Sequence, residues 1–77
     1  MTHLGANITW FRTRRNRMAL RTLAEIAGIS SSTLADIETG VTNNPGVYTV
    51  LKISEALNVP MVFLIKEMNE TDKSIYL

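Results

Sequence analysis

The chain of 77 residues contains no cysteine and one histidine, His3, and that absence narrows what it can fold into more than any other feature. A domain of roughly this size gains only a few kcal/mol of net stability from one hydrophobic core, so it needs disulfides, a metal, closely packed helices or a second subunit. Disulfides and thiolate zinc sites are out of reach without thiols. Closely packed helices and self-association remain. The length leaves no room for a second folded domain. The longest apolar run, residues 59–65, falls far short of the ~20 residues that span a bilayer. The N-terminal arginines follow the apolar residues of their segment, the reverse of a signal peptide's order. A soluble, cytoplasmic protein is expected, with no membrane partner, no metal and no cofactor.

Apolar residues recur with the period of helices, and no strand-like alternation occurs. Leu4, Ile8 and Phe11 share a face, predicting a first helix over about residues 4–14 with Arg15 at its end. Residues 21–27 are helix formers, and Gly28 follows where a left-handed cap is wanted. Ser30 can cap a third helix over about residues 31–38, with Leu34 and Ile37 inward and Gly40 ending it. Residues 41–46 form a polar turn cluster around Pro45. A fourth helix starts at Val47, with Val47, Val50, Leu51, Ser54 and Leu57 on its inner side, and Asn58 can end it. After Pro60, the stripe of Met61, Leu64, Ile65 and Met68 predicts a fifth helix over about residues 61–68. The expected fold is all-α: five short helices in one domain over residues 1–68, then a polar C-terminal tail over residues 69–77.

The net charge is only +1, but it is polarised along the chain. Arg12, Arg14, Arg15, Arg17 and Arg21 lie within residues 1–24, which hold no acid, whereas residues 25–77 hold seven acids against three lysines. Such a basic block is an electrostatic footprint for nucleic acid, and equally the solvated end of a helix.

Helices two and three carry a more specific pattern. Ala24 is small where two helices cross, Gly28 turns the chain sharply between them, and Ile29, Leu34 and Ile37 fill the angle they enclose. Such a pair is a helix-turn-helix. Around it stand Leu4-Gly5 with Ile8, Phe11 and Arg12, then Leu23-Ala24-Glu25, Ala27-Gly28-Ile29-Ser30 and Ile37-Glu38-Thr39-Gly40. Asn44-Pro45 and Leu51-Lys52-Ile53 with Ala56-Leu57 complete the series. In that order, from Leu4 to Ile65, these segments resemble the phage-repressor (Cro/Xre-type) helix-turn-helix family. The resemblance implies a five-helix, lambda-repressor-like domain that dimerises and places helix three in the major groove of an operator. The chain departs from the family at Ala19 and Leu20, where a small polar cap and a glutamine that packs against DNA are common. Between Arg12 and Ala19 it is also one residue longer than the family pattern.

With Leu34 and Ile37 inward, the helical period turns Ser32, Ala35, Asp36 and Thr39 outward, with Ser31 at the flank and Ser30 at the helix start. Apart from Ala35, these are the candidate DNA-binding residues. Arg21 at the start of helix two joins them, as do Thr42 and Asn43 in the loop that, in the family, tends to touch the DNA backbone. Serine hydroxyls donate to phosphates or bases, and Asp36 can accept from a cytosine amino group. No Lys or Arg lies between Arg21 and Lys52, so the usual bidentate base readers are missing. Arg14, Arg15 and Arg17 read as solubilising residues. No nucleophile–base pair, glycine-rich phosphate loop or metal-spaced cluster occurs, and no enzymatic activity is expected.

Two functions of different classes follow. One is a sequence-specific, repressor-like transcriptional regulator that binds a two-fold operator in double-stranded DNA as a homodimer. The other is a protein-interaction module on the same fold, antitoxin-like or antirepressor, with weak DNA affinity and a protein as main partner. The resemblance also implies a structural ion pair between Arg12 and Glu38, tying helix one to the end of helix three. Val62 and Phe63 lie off the inward stripe of helix five, so with the terminal Ile75, Tyr76 and Leu77 they form the expected dimer contact. Cover within the chain is the alternative. Trp10, opposite the Leu4 stripe, is either an interface residue or half-buried.

Overall fold

Leu4, Ile8 and Phe11 bring three apolar side chains to one face of an 11-residue helix, α1 (Leu4–Arg14), and all three are buried. The computed structural model describes residues 1–76, where five more helices follow: α2 (Leu20–Ala27), α3 (Ser31–Thr39), α4 (Val47–Leu57), α5 (Val62–Ile65) and α6 (Glu70–Ile75). No strand occurs among these residues. Three helices end where the backbone turns left-handed, at Gly28 (φ 74°), Gly40 (φ 87°) and Asn58 (φ 57°), a conformation that glycine and asparagine adopt most easily. α1 packs against α3, α5 and α4, while α2 packs against α3 and α4. Leu23, Leu34, Ile37, Ile53, Leu57 and Leu64 close around Ile8 and Phe11 as one core. Gly5 allows α1 and α3 to touch, because a Cβ there would sit 2.5 Å from the carbonyl oxygens of both Ile37 and Glu38. Among the described residues, no helix is long and apolar enough to cross a membrane.

The C-terminal half departs from the sequence expectation in three ways. On α4 the buried line is Val50, Ile53, Ser54 and Leu57, at spacings of i, i+3, i+4 and i+7. Val47 and Leu51 are exposed instead, since the inner face is set by where α2 lies rather than by the apolar residues alone. α5 is a single turn. Its last carbonyls are taken by α1: Asn7 Nδ2 donates to Leu64 O at 3.0 Å and to Lys66 O at 2.6 Å, so the chain leaves the helix in an extended conformation at Lys66. Leu64 and Met68 are buried, but Ile65 turns outward.

The third departure is α6, formed where the polar composition reads as a tail. Asn69 and Asp72 close a capping box: Asp72 N donates to Asn69 Oδ1 at 2.8 Å, and Asn69 N donates to Asp72 Oδ2 at 3.1 Å. Lys66 Nζ lies 2.9 Å from the same carboxylate oxygen. These contacts lower the Asp72 pKa, the hydrogen bond with Lys66 contributing most, then the backbone bond from Asn69. The helix carries Tyr76 between Phe11 and Phe63, edge to face, with centroids 5.1 and 5.5 Å away. Phe63 is therefore covered within the chain. Leu77 lies outside the described residues.

Candidate nucleic-acid interface

The helix-turn-helix is built by α2, the turn Gly28–Ser30 and α3. At the end of α2, Gly28 N donates to Glu25 O (3.2 Å) and Ile29 N to Ala24 O (3.0 Å), which satisfies two orphan carbonyls and reverses the chain. Ser30 then caps α3 by accepting from Thr33 N at 3.1 Å, and its hydroxyl also lies 2.7 Å from Thr33 Oγ1 and 3.3 Å from Ser32 Oγ. Leu34 and Ile37 are fully buried on the inner side of α3. Ser32, Thr33, Asp36 and Thr39 are exposed and Ser31 is half-buried. The outer face is thus short, polar and without a cation. Thr39 Oγ1 donates to Ala35 O at 2.8 Å, so its proton is committed to the helix while its oxygen can still accept.

What holds α3 in place is a charged joint with α1. Gly5, Thr9 and Arg12 stand at i, i+4 and i+7 on a second stripe of α1, facing the end of α3. Arg12 Nε donates to Glu38 Oε2 (2.8 Å) and Nη2 to Glu38 Oε1 (2.9 Å), a bidentate pair, and Thr9 Oγ1 donates to the same Oε1 at 2.8 Å. The third arm of the guanidinium, Nη1, donates to Met18 O at 2.7 Å, tying the connection before α2 to the same joint. The hydrogen bond with Glu38 raises the Arg12 pKa, desolvation opposes it, and the Glu38 charge adds to the rise. The guanidinium is therefore a permanent cation.

The remaining candidate residues are arranged around this unit. Arg21 is exposed on the first turn of α2. Thr42 and Asn43 are exposed in the loop after α3, where Thr42 N donates to Asp36 O at 2.9 Å and folds the loop back on the helix. Of the expected dimer residues, Phe63 and Tyr76 are half-buried against each other, whereas Val62 and Ile75 are 57% and 64% exposed. Trp10 is half-buried, packed edge-on against Phe11, with the Arg14 guanidinium 4.3 Å from its ring centroid. Asn7 and Thr9 escaped the sequence reading, although an asparagine on the Leu4–Phe11 stripe is itself a signal, because a buried amide needs partners.

A compact helical domain whose second and third helices form a capped, tightly turned pair, with α3 presenting a polar face, defines the helix-turn-helix class of proteins. A family profile described as helix-turn-helix matches residues 10–64, and the chain belongs to that family, of the Cro/Xre type. It is 33% identical over 69 residues to the HTH-type transcriptional regulators SinR of Bacillus licheniformis and of Bacillus subtilis (strain 168), covering 90% of this chain. The chain spans 61% of the length of these relatives. Its fold is similar to the N-terminal DNA binding domain of SinR from Bacillus subtilis, with a TM-score of 0.83 and 31% identity over 91% of this chain and 100% of that one. Those relatives are regulators, not enzymes.

Proposed function

We propose that this domain binds double-stranded DNA for a transcriptional regulator, repressor-like, as a homodimer that sets one α3 in the major groove of each half of a two-fold operator. The observation that carries the reading is that a solved DNA-binding domain is matched over its whole length. In this reading Ser30, Ser31, Ser32 and Thr39 meet phosphates or base edges, Asp36 accepts from a cytosine amino group, and Arg21, Thr42 and Asn43 grip the backbone. Val62 and Ile75, the exposed neighbours of the Phe63–Tyr76 pair, form the two-fold contact that spaces the helices to match the half-sites. Such a regulator works in the cytoplasm, where the DNA is.

A specific observation supports the second reading, a protein-interaction module: α3 has no cation, while Val41, Val47 and Tyr48 stand exposed around the start of α4. The salt dependence of binding to random duplex DNA separates the two. Each phosphate neutralised contributes a slope of about −0.9 in log K against log salt, so DNA binding requires a steep slope, and a slope near zero favours the protein-interaction module. Asp36→Asn then tests the base reader. A changed site preference supports it, and a uniform gain for all sequences reduces Asp36 to a source of repulsion.

A further inference from the structure

The connection between α1 and α2 is a strained turn. Met18 N donates to Arg15 O at 3.1 Å across residues 15–18, and both central residues are left-handed, Asn16 at φ 57° and Arg17 at φ 52°. Two positive φ angles in succession mark the type I′ pattern, which favours Asn at the first position and Gly at the second. Asn16 meets the first preference. Arg17 violates the second, because a Cβ in the left-handed region crowds its own carbonyl. The Arg12 bond to Met18 O holds the turn in this shape from outside. The Arg17 side chain is exposed and makes no hydrogen bond or ion pair among the described residues, so nothing within the fold accounts for a bulky cation where glycine is easier.

The distribution of cations gives the reason. Arg12 is consumed by Glu38, Lys66 by Asp72, and Arg14 and Lys73 each lie over the Trp10 ring. The uncommitted ones are Arg15, Arg17, Arg21 and Lys52, and the first three fall within seven consecutive residues around the start of α2, with no acid in the sequence before Glu25. That start has Ala19 as its cap residue, no capping side chain and no acid in its first turn, so its own positive end adds to theirs. Backbone strain acts against this arrangement in the free protein. Resting on the DNA reading above, we infer that Arg17 is a phosphate contact, held out by the α1–α2 turn to supply the electrostatic affinity that α3, bare of cations, cannot. The DNA backbone, rather than an acidic protein, is the occupant because the match to a DNA-binding domain covers 91% of this chain, and the family profile over residues 10–64 includes this turn.

Three variants at one position test this on the whole chain, with a fluorescently labelled random duplex titrated across salt concentrations. Arg17→Gly removes both charge and strain: binding weakens severalfold, the salt slope shrinks by about 0.9, and Tm rises by a few degrees as the turn relaxes. Arg17→Gln keeps the strain and loses the charge, so it matches the glycine variant in slope without the gain in Tm. Arg17→Lys keeps the slope. If the parent binds with a steep slope and the glycine and glutamine variants bind identically to it, the inference is overturned while the DNA reading stands. Loss of slope in the lysine variant overturns it too, since a retained charge on the same turn would then fail to supply the affinity. A parent with no salt-dependent binding sinks the DNA reading and this contact together.

Discussion

α1 has two seams of opposite construction. Toward α3 it offers a glycine at closest approach, then a threonine and an arginine that share one carboxylate. Toward α5 and α6 it offers Asn7, whose amide takes two backbone carbonyls, and Phe11, which meets Tyr76. The first seam is short-range and charged, so the position and orientation of α3 are both specified. The second is neutral, two amide hydrogen bonds beside an edge-to-face aromatic contact, with no charge at the joint. The difference separates a joint that aligns from one that covers.

Removing Glu38 should break the first seam most severely. Its side chain is 6% exposed and that of Arg12 15%, so Glu38→Ala leaves a half-buried guanidinium without a counter-charge, only its bond to Met18 O remaining, at a cost of about 3 kcal/mol. The melting temperature should fall by more than 10 °C, at roughly 4–8 °C per kcal/mol for a domain of this size. An unchanged melting temperature would mean the joint aligns nothing. Gly5→Ala comes next. Its Cβ meets rigid backbone at 2.5 Å from two carbonyl oxygens, and overpacking of this kind costs about 1–3 kcal/mol. Chemical denaturation should show the loss, and wild-type stability would mean that α1 and α3 separate freely.

Asn7→Ala tests the second seam with a smaller effect. Leu64 O is buried and loses its donor, while the part-buried Lys66 O can turn to water, so about 1 kcal/mol is expected. Hydrogen exchange should quicken in α5 and α6 and stay slow in α3. Equal acceleration in α3 would erase the distinction between the seams. The mildest probe is acid. The Asp72 pKa is lowered in the fold, so its contribution is present above the ordinary value of 3.8 and lost as pH falls through the lower folded value. α6 should loosen there before the core melts. Trp10, which has Lys73 5.9 Å from its ring centroid, reports it as a fluorescence change preceding the loss of helical signal. Asp72→Asn should abolish that early step.

Helix positions were legible in the sequence because they are decided locally: the 3.6-residue period marks α1 to α4, and Gly28, Gly40 and Asn58 punctuate them. The helix-turn-helix was legible for the same reason, since Ala24, Gly28, Leu34 and Ile37 lie close enough in sequence to act on one another. α6 was hidden although the Asn69–Asp72 spacing is a capping signal, because a six-residue helix with five polar residues has no stability of its own and exists only where Phe11, Phe63 and Lys66 receive it. The core face of α4 and the cover over Phe63 depend likewise on residues that arrive from elsewhere in the chain. The same holds for Arg17. Its charge is visible in the sequence, but only the closed turn, fixed by Arg12 while that residue holds Glu38, sets the backbone at a positive φ. Periodicity and capping are short-range and written into consecutive residues, whereas burial, and the Arg12–Glu38 anchor that steadies the turn, arise when segments far apart in the chain meet.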